Sequence, residues 1–506
     1  MAQLSGGRIM SEKEITTGAH AAEAAEATPN KHENELAKSI DWKQGVLIAM
    51  GIPILILPSL YDLADSLWAM SVAVWTVSVL TGFLINFGIG ELAATFGIAG
   101  IGGCAQFVFR NDEKYKNKRI NWGRFIGAVG AWAYFSTWLP VIPIFTIMTG
   151  TYLYDFIPAL HAVNLTVLNM VLGIAIFGFI ILVGSKGLQG GAKVQLVLAM
   201  ITIVPLLIIA IIPFFNGYFD LNMITSQWTP ADWNWDSNGV LFLMGCMAVA
   251  QWSAVGWESC ATYGSEYKNP SRDVPKALIV CGLLCLLMYF VVSFAVFGTL
   301  GITGIDEARY STLLPISEHE FGVVGAAVAM ILLIAGMIMI IQTAFLDCAR
   351  TTYVMAHDGN LPRFLGKTNT NGVPIYAMLF EAIVGLIMIP MGSPGAILCA
   401  SSFGFSFAIG MASLAFIKAR YDPRFKNVHR TWRAPRGWVG VSVFVVILEF
   451  FLYIPGLIVY GIQKFGMSAV LFGVGILVAY IPCWLILQWY DNKHPLKERS
   501  VPSVND

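Results

Sequence analysis

Glu258 is the residue of this 506-residue chain whose setting most demands a chemical explanation. It stands inside a long apolar run, between Gly256-Trp257 and Ser259, with no Lys or Arg in the same run. A carboxylate at bilayer depth costs roughly 2.5–3.5 kcal/mol on insertion scales. Such a group faces a cavity, pairs with a partner, or takes up and releases a proton. Trp252, six residues earlier, offers a flat ring that can stack on a substrate or face an organic cation. A second interruption, Gly51-Ile52-Pro53 with Pro58 beyond it, breaks the first apolar run; proline removes a backbone donor and clashes with the preceding turn. Gly51, Ile52, Pro53, Trp252, Gly256, Trp257 and Glu258 form the candidate substrate-binding set, with Glu258 the candidate proton-linked group. Trp132, Tyr134 and Trp138 are further aromatic candidates, and Asp347, Glu381 and Glu449 further acidic ones. No Lys or Arg sits well inside an apolar run, so a cavity built from these groups is neutral or negative and suits a substrate carrying an amine.

Other chemistries find no support. The eight cysteines fall mostly within apolar runs, without metal-ligand spacing or a disulfide framework. The histidines lie in tails and connections; His319, between Glu318 and Glu320, reads as an acidic surface patch. No GxxxxGK[ST] phosphate loop is present. No catalytic set, metal or cofactor is expected, and the zero formal charge gives no hint of a nucleic-acid partner.

The elements that must position these residues are membrane spans. The chain is 57% hydrophobic and 12% charged, with a mean hydropathy of +0.68. Soluble domains carry about 25% charged residues. About twelve apolar runs of bilayer length lie near 44–64, 69–92, 122–149, 166–184, 194–213, 239–262, 276–299, 322–347, 374–391, 396–417, 438–460 and 468–489, numbered here as spans 1 to 12. With the N-terminus placed in the cytoplasm, 29 of the 31 Lys and Arg fall in inside segments, leaving only Arg309 and Lys464 outside. The positive-inside rule needs only a bias, so both termini are expected in the cytoplasm and the chain in the cell's inner (plasma) membrane. Residues 1–40 read as a disordered polar tail and 491–506 as a second tail, with no cleavable signal peptide. Between them, 41–490 is one transmembrane domain. Trp228, Trp233 and Trp235 in the long connection 214–238 suit the headgroup zone or a cap on an outer vestibule. Asn164-Leu-Thr166 matches a glycosylation acceptor by accident of a span end.

Spans 1 and 6, the two broken ones, each lead a set of five. A set with an odd number of crossings inverts the next, and interrupted spans at corresponding positions point to a transporter's midplane site. The expected fold is therefore all-α and polytopic. Inverted repeats run over about 41–213 and 239–418, with two extra helices over about 438–489.

Two stretches carry a resemblance. One is Gly256-Trp-Glu-Ser-Cys-Ala-Thr-Tyr-Gly-Ser-Glu266, followed by Lys268-Asn-Pro-Ser-Arg-Asp-Val-Pro-Lys-Ala277. The other is Ala349-Arg-Thr-Thr-Tyr-Val-Met-Ala-His-Asp-Gly-Asn-Leu-Pro362, continuing to Asn371-Gly-Val-Pro374, with a weaker echo in Glu91-Leu-Ala93. Over roughly 42–490 the chain resembles the amino acid–polyamine–organocation permeases, and within them the arginine:agmatine and glutamate:GABA antiporter branches. The resemblance implies ten core spans in two inverted repeats, Trp252 as a substrate gate and Glu258 as a proton-sensing residue. It places Glu266, Asn269, Pro270 and Arg272 in a cytoplasmic hinge. Two departures count. Pro53 stands where many members present backbone N–H groups to a substrate carboxylate, and proline has none. Thr202 stands where some proton-coupled members have a lysine. Exchange, or sodium coupling through Thr343, Thr202 and span-1 carbonyls, both stand, and the coupling ion, H+ or Na+, is undecided.

The leading expectation is a secondary transporter of amino acids or related organic amines working by alternating access. The alternatives are a permease for amines lacking a carboxylate and a non-transporting amino-acid sensor. Oligomeric state is not legible.

Overall fold

The computed structural model describes residues 40–49, 52–96, 100–111, 114, 120–185, 203–262, 267–428, 430 and 432–493. Nearly all of both expected tails, together with Gly51, Thr202 and Glu266, lie outside these residues. Among the described residues regular structure is helical, apart from one parallel bridge between Ile40 and Tyr267. Among the described residues nine helices are long and apolar enough to cross a bilayer. Span 1, broken into Trp42–Ala49, a 3-10 turn Ile52–Ile56 and Leu57–Leu67, joins them. So do the shorter apolar helices Ile203–Asn216 (span 5) and Ile375–Met391 (span 9). Together they make the twelve segments that the apolar runs predict.

Alternate ends of these segments meet the Lys- and Arg-rich connections, which defines a basic end and an opposite end. Span 10 (Pro394–Tyr421) has 89% of its apolar window buried and runs through the centre, whereas span 12 (Met467–Tyr490) has 22% and lies at the periphery. Leu182, Ile387 and Leu471 stay exposed on outer faces, where acyl chains replace water and an apolar surface costs nothing. Seven cysteines are buried and Cys483 is exposed, all of them free.

Three segments differ from the sequence expectation. Residues 100–109, expected as part of a basic loop, form a helix that buries Ile101, Cys104 and Val108; ten residues are too few to register as a span. Span 3 is split at Pro140 into Trp122–Trp138 and Val141–Phe156. Between spans 7 and 8 the expected loop is a helical arm. Helices Pro270–Ala308 and Leu313–His357 run on past the spans, each bent at one glycine of positive φ, Gly301 (59°) and Gly322 (65°). The arm between these bends buries Leu313 and Ile316. Asn164 accepts from the Thr166 and Val167 N–H groups as the N-cap of span 4 (Leu165–Gly184), which explains the chance glycosylation match.

Span 6 (Ser237–Ala254) meets span 11 (Trp438–Phe465) at a glycine pair. A Cβ on Gly245 would sit 2.3 Å from the Gly456 carbonyl oxygen, and one on Gly456 would sit 2.5 Å from the Gly245 nitrogen. Small residues at such a crossing let backbones touch. Gly456→Leu should lower the thermal midpoint of the detergent-purified protein, at a cost of about 3 kcal/mol or more for overpacking backbone against backbone. A midpoint unchanged from wild type would show that the helices are not in backbone contact.

Candidate functional site

The two breaks face one another. Span 6 ends its long helix at Ala254, turns through a 3-10 segment Gly256–Glu258 and resumes at Ser259. A Cβ on Gly256 would lie 3.1 Å from Leu55 and 3.4 Å from Ile52, so the glycine permits the approach of the two turns. Helix breaks at membrane depth strand backbone groups that water cannot reach, and protein must satisfy them. One phenol does this for both: the Tyr289 hydroxyl of span 7 lies 2.5 Å from the Ser253 carbonyl and 3.3 Å from the Ile52 carbonyl. The Ser59 and Ser253 hydroxyls add a 2.8 Å bond between spans 1 and 6.

Beside these turns is a small cavity of about 10 Å³ lined by Leu55, Thr137, Trp138, Val141, Trp252, Gly256 and Phe405. Small-molecule sites commonly run to about 300–1,000 Å³, so the cavity as it stands is too small to hold an amino acid. Trp252 walls the cavity at 3% exposure, and its indole N–H has no hydrogen-bond partner. No charged side chain enters the lining.

The sequence-predicted residues divide. Trp252 and Gly256 reach the cavity, and Ile52 lies at the span-1 turn with its carbonyl held by Tyr289. Pro53 belongs to that same turn. Trp257 is placed elsewhere: fully buried, its ring lies 5.1 Å from Phe83 and against Gly82 and Gly282, wedged between spans 2 and 7. Glu258 is fully buried but not in the lining. Its Oε1 accepts from the Tyr134 hydroxyl at 3.4 Å, and its Oε2 has no partner. Asp347 lies within its electrostatic reach, and both Asp347 oxygens accept no hydrogen bond. Of the span-3 aromatics, Tyr134 thus holds Glu258 and Trp138 lines the cavity. Trp132 packs on span 12 instead, stacked 4.8 Å from Tyr480. The Thr343 hydroxyl donates to the Met339 carbonyl of its own helix. Glu381 is buried next to Thr352 at 3.4 Å.

Sequence reasoning missed Tyr289, Thr137, Phe405 and Asp62. Asp62 had the signal that exposed Glu258, an acidic residue within an apolar run. It is buried toward the opposite end, accepting from Tyr310 at 3.2 Å; Gly395 N–H in turn donates to the Tyr310 oxygen at 3.3 Å. The arm also bonds span 3 through Ser311 and Asp155 at 2.7 Å, and Lys464 pairs with Asp65. The 214–238 connection caps the same end: the Ala69 and Met70 N–H groups donate to the Gln227 and Trp228 carbonyls at 3.0 and 2.8 Å.

The basic end is closed by charge. Glu91, fully buried, is paired with both Arg420 and Arg430 and accepts from the Ala434 N–H at 2.8 Å. Gln106, Arg110 and Arg124 converge on Asp358 and Asn360, which explains the second motif as a structural hub. Arg424 donates to the Val108 and Arg110 carbonyls, and its bonds to Asp422 hold that carboxyl well below the usual carboxylate range.

A family model described as amino acid permease matches residues 42–479. An arginine/ornithine antiporter of Latilactobacillus sakei is 24% identical, the match covering 67% of this chain and 74% of that protein. An uncharacterized amino acid permease of Bacillus subtilis is 27% identical over 71% and 78% of the two chains. The aromatic amino acid transport protein AroP of Escherichia coli O157:H7 is 24% identical over 80% and 86%.

Tyr289→Phe tests the joint between the breaks. It removes the single O–H that the Ser253 carbonyl takes and the Ile52 carbonyl shares, at a cost of about 1–3 kcal/mol. The expected result is a lower thermal midpoint with a normal size-exclusion profile; an unaltered midpoint would remove Tyr289 as the tie.

Proposed function

The chain belongs to the amino acid permease family, and on that premise we propose that it is a secondary transporter exchanging cationic amino acids across the plasma membrane by alternating access. One observation carries the substrate class. The cavity has no basic side chain in its wall, and Glu258, on the broken turn of span 6 beside it, leaves one of its two oxygens without a hydrogen bond. A cationic amine supplies what such a site lacks. Two relatives agree: the arginine/ornithine antiporter of Latilactobacillus sakei, and an L-lysine transport protein of Corynebacterium glutamicum that is 26% identical over 54% of this chain and 54% of that protein.

In this reading the basic end faces the cytoplasm and holds both termini. The halves 41–213 and 239–418 act as inverted repeats that rock about the joined breaks. Substrate enters when the Asp62–Tyr310 contact opens and leaves when the Glu91 ion pairs release. Trp252 covers it between these events. Glu258, held by Tyr134 on one oxygen only, exchanges a proton as access alternates. The Thr343 hydroxyl is engaged by its own helix, so an ion bound there is not part of the proposal. The missing N–H of Pro53 shifts recognition of the carboxylate to other donors, of which the unpaired Trp252 N–H is one.

Proteoliposomes loaded with arginine or ornithine and given labelled arginine outside test the exchange. Uptake should rise with internal basic amino acid and not with internal leucine; equal stimulation by both would overturn the cationic preference. In that assay Trp252→Leu should lower the initial rate about tenfold, the 1.4 kcal/mol that one aromatic contact supplies, with an unchanged thermal midpoint. A wild-type rate would show that the ring does not cover the substrate. Glu258→Gln should flatten the dependence of flux on pH, and a profile identical to wild type would exclude it as the proton-linked group.

A further inference from the structure

Span 11 contains a widened turn away from the cavity. Residues Leu448–Tyr453 are π-helical, with the Ile454 N–H bonded to the Glu449 carbonyl. Turns of this kind are often found at functional positions. Here it carries Glu449, fully buried, facing span 6, where the Gln251 side-chain amide donates to Glu449 Oε1 at 2.9 Å. The rest of the cluster is unsatisfied. Glu449 Oε2, Gln251 Oε1, the Ser406 hydroxyl of span 10 and the Tyr453 hydroxyl are all buried without a hydrogen-bond partner. Ser406 stands just beyond hydrogen-bond distance of the Glu449 carboxylate and acts on it as a weak donor, and Tyr453 lies within its electrostatic reach. No Lys or Arg acts on Glu449 among the described residues. Buried polar groups are satisfied in nearly all native structures, and unsatisfied ones call for a missing partner.

We propose that Glu449, Gln251, Ser406 and Tyr453 form a binding site for one small monovalent cation of the sodium class, held between spans 6, 10 and 11. The donors available to such an ion are oxygens, the ligand type that hard cations take. One carboxylate balances one positive charge, where calcium sites recruit several. A half-turn of the Gln251 amide presents its oxygen in place of its nitrogen. An ion too large for the place of the amide hydrogen then sits to one side of the former hydrogen bond, touching both oxygens, and both side chains become ligands. Gln251 immediately precedes Trp252, the wall of the cavity, so an ion here stiffens the stretch of span 6 that leads into its break. The site goes beyond the transport reading and is independent of which amino acid is carried.

Thermal unfolding of the full-length protein in detergent, in NaCl against KCl and choline chloride at equal ionic strength, tests the site without measuring flux. Sodium at ten times its half-saturating concentration should raise the wild-type midpoint by roughly 1–2 °C over the other salts. That increment should vanish in Glu449→Gln, shrink in Ser406→Ala and persist in Thr343→Ala. No sodium-specific increment in wild type overturns the proposal, as does an increment that survives Glu449→Gln or is lost in Thr343→Ala. A midpoint that follows pH and ignores sodium also overturns it, in favour of a proton on Glu449. If Glu449→Gln does not purify as a single species, Ser406→Ala decides, a full wild-type response counting against the site. Failure on any of these arms leaves the exchange assay untouched.

Discussion

The structure rests on one constraint: in lipid no peptide group can be left to water. Breaking spans 1 and 6 midway exposes backbone that would be costly anywhere else, and the protein meets the cost with a third helix. Tyr289 of span 7 reaches the carbonyls at both breaks, and Ser59 with Ser253 links the two spans directly. The cavity beside them is a consequence, since two turns that cannot pack as continuous helices leave room where Trp252, Trp138 and Phe405 close in. Gly256 serves the same end, because a side chain there would press on Leu55.

Buried charge follows a related logic. Toward the two ends of the bundle carboxylates have strong partners: Glu91 has two arginines, and Asp62 has Tyr310. Removing one partner of a buried pair is costly because it leaves the other charge uncompensated. Such contacts therefore suit closures that form and break as whole units. Glu258, Asp347, Glu381 and Glu449, by contrast, each keep at least one oxygen without a hydrogen bond.

Span 11 is more than an extra helix added outside the core. Its Gly456 touches Gly245 of span 6, and its Glu449 bonds Gln251 beside the cavity wall. Span 12 stays peripheral yet is tied to the basic end, where Tyr480 and Trp484 bond Asn360. Spans 11 and 12 thus brace span 6 and the Asp358–Asn360 hub.

Hydropathy, charge placement and proline were enough to read twelve crossings, their alternation and the two interruptions, because each depends on a local property: the length of an apolar run, the side a lysine prefers, a missing N–H. The same locality marked Glu258, Trp252 and Gly256, residues out of character with their neighbours. It could not place Trp257, equally conspicuous beside Glu258, because turning toward the cavity or toward Phe83 depends on the path of the 3-10 turn and on glycines in spans 2 and 7. Nor could it single out Tyr289, an ordinary tyrosine in an apolar helix until two broken strands of backbone meet at its hydroxyl. Which residues share a site was decided by long-range packing alone. Pairs such as Ser59 with Ser253, or Gln251 with Glu449, stand almost two hundred residues apart, and no run of neighbours records that they touch.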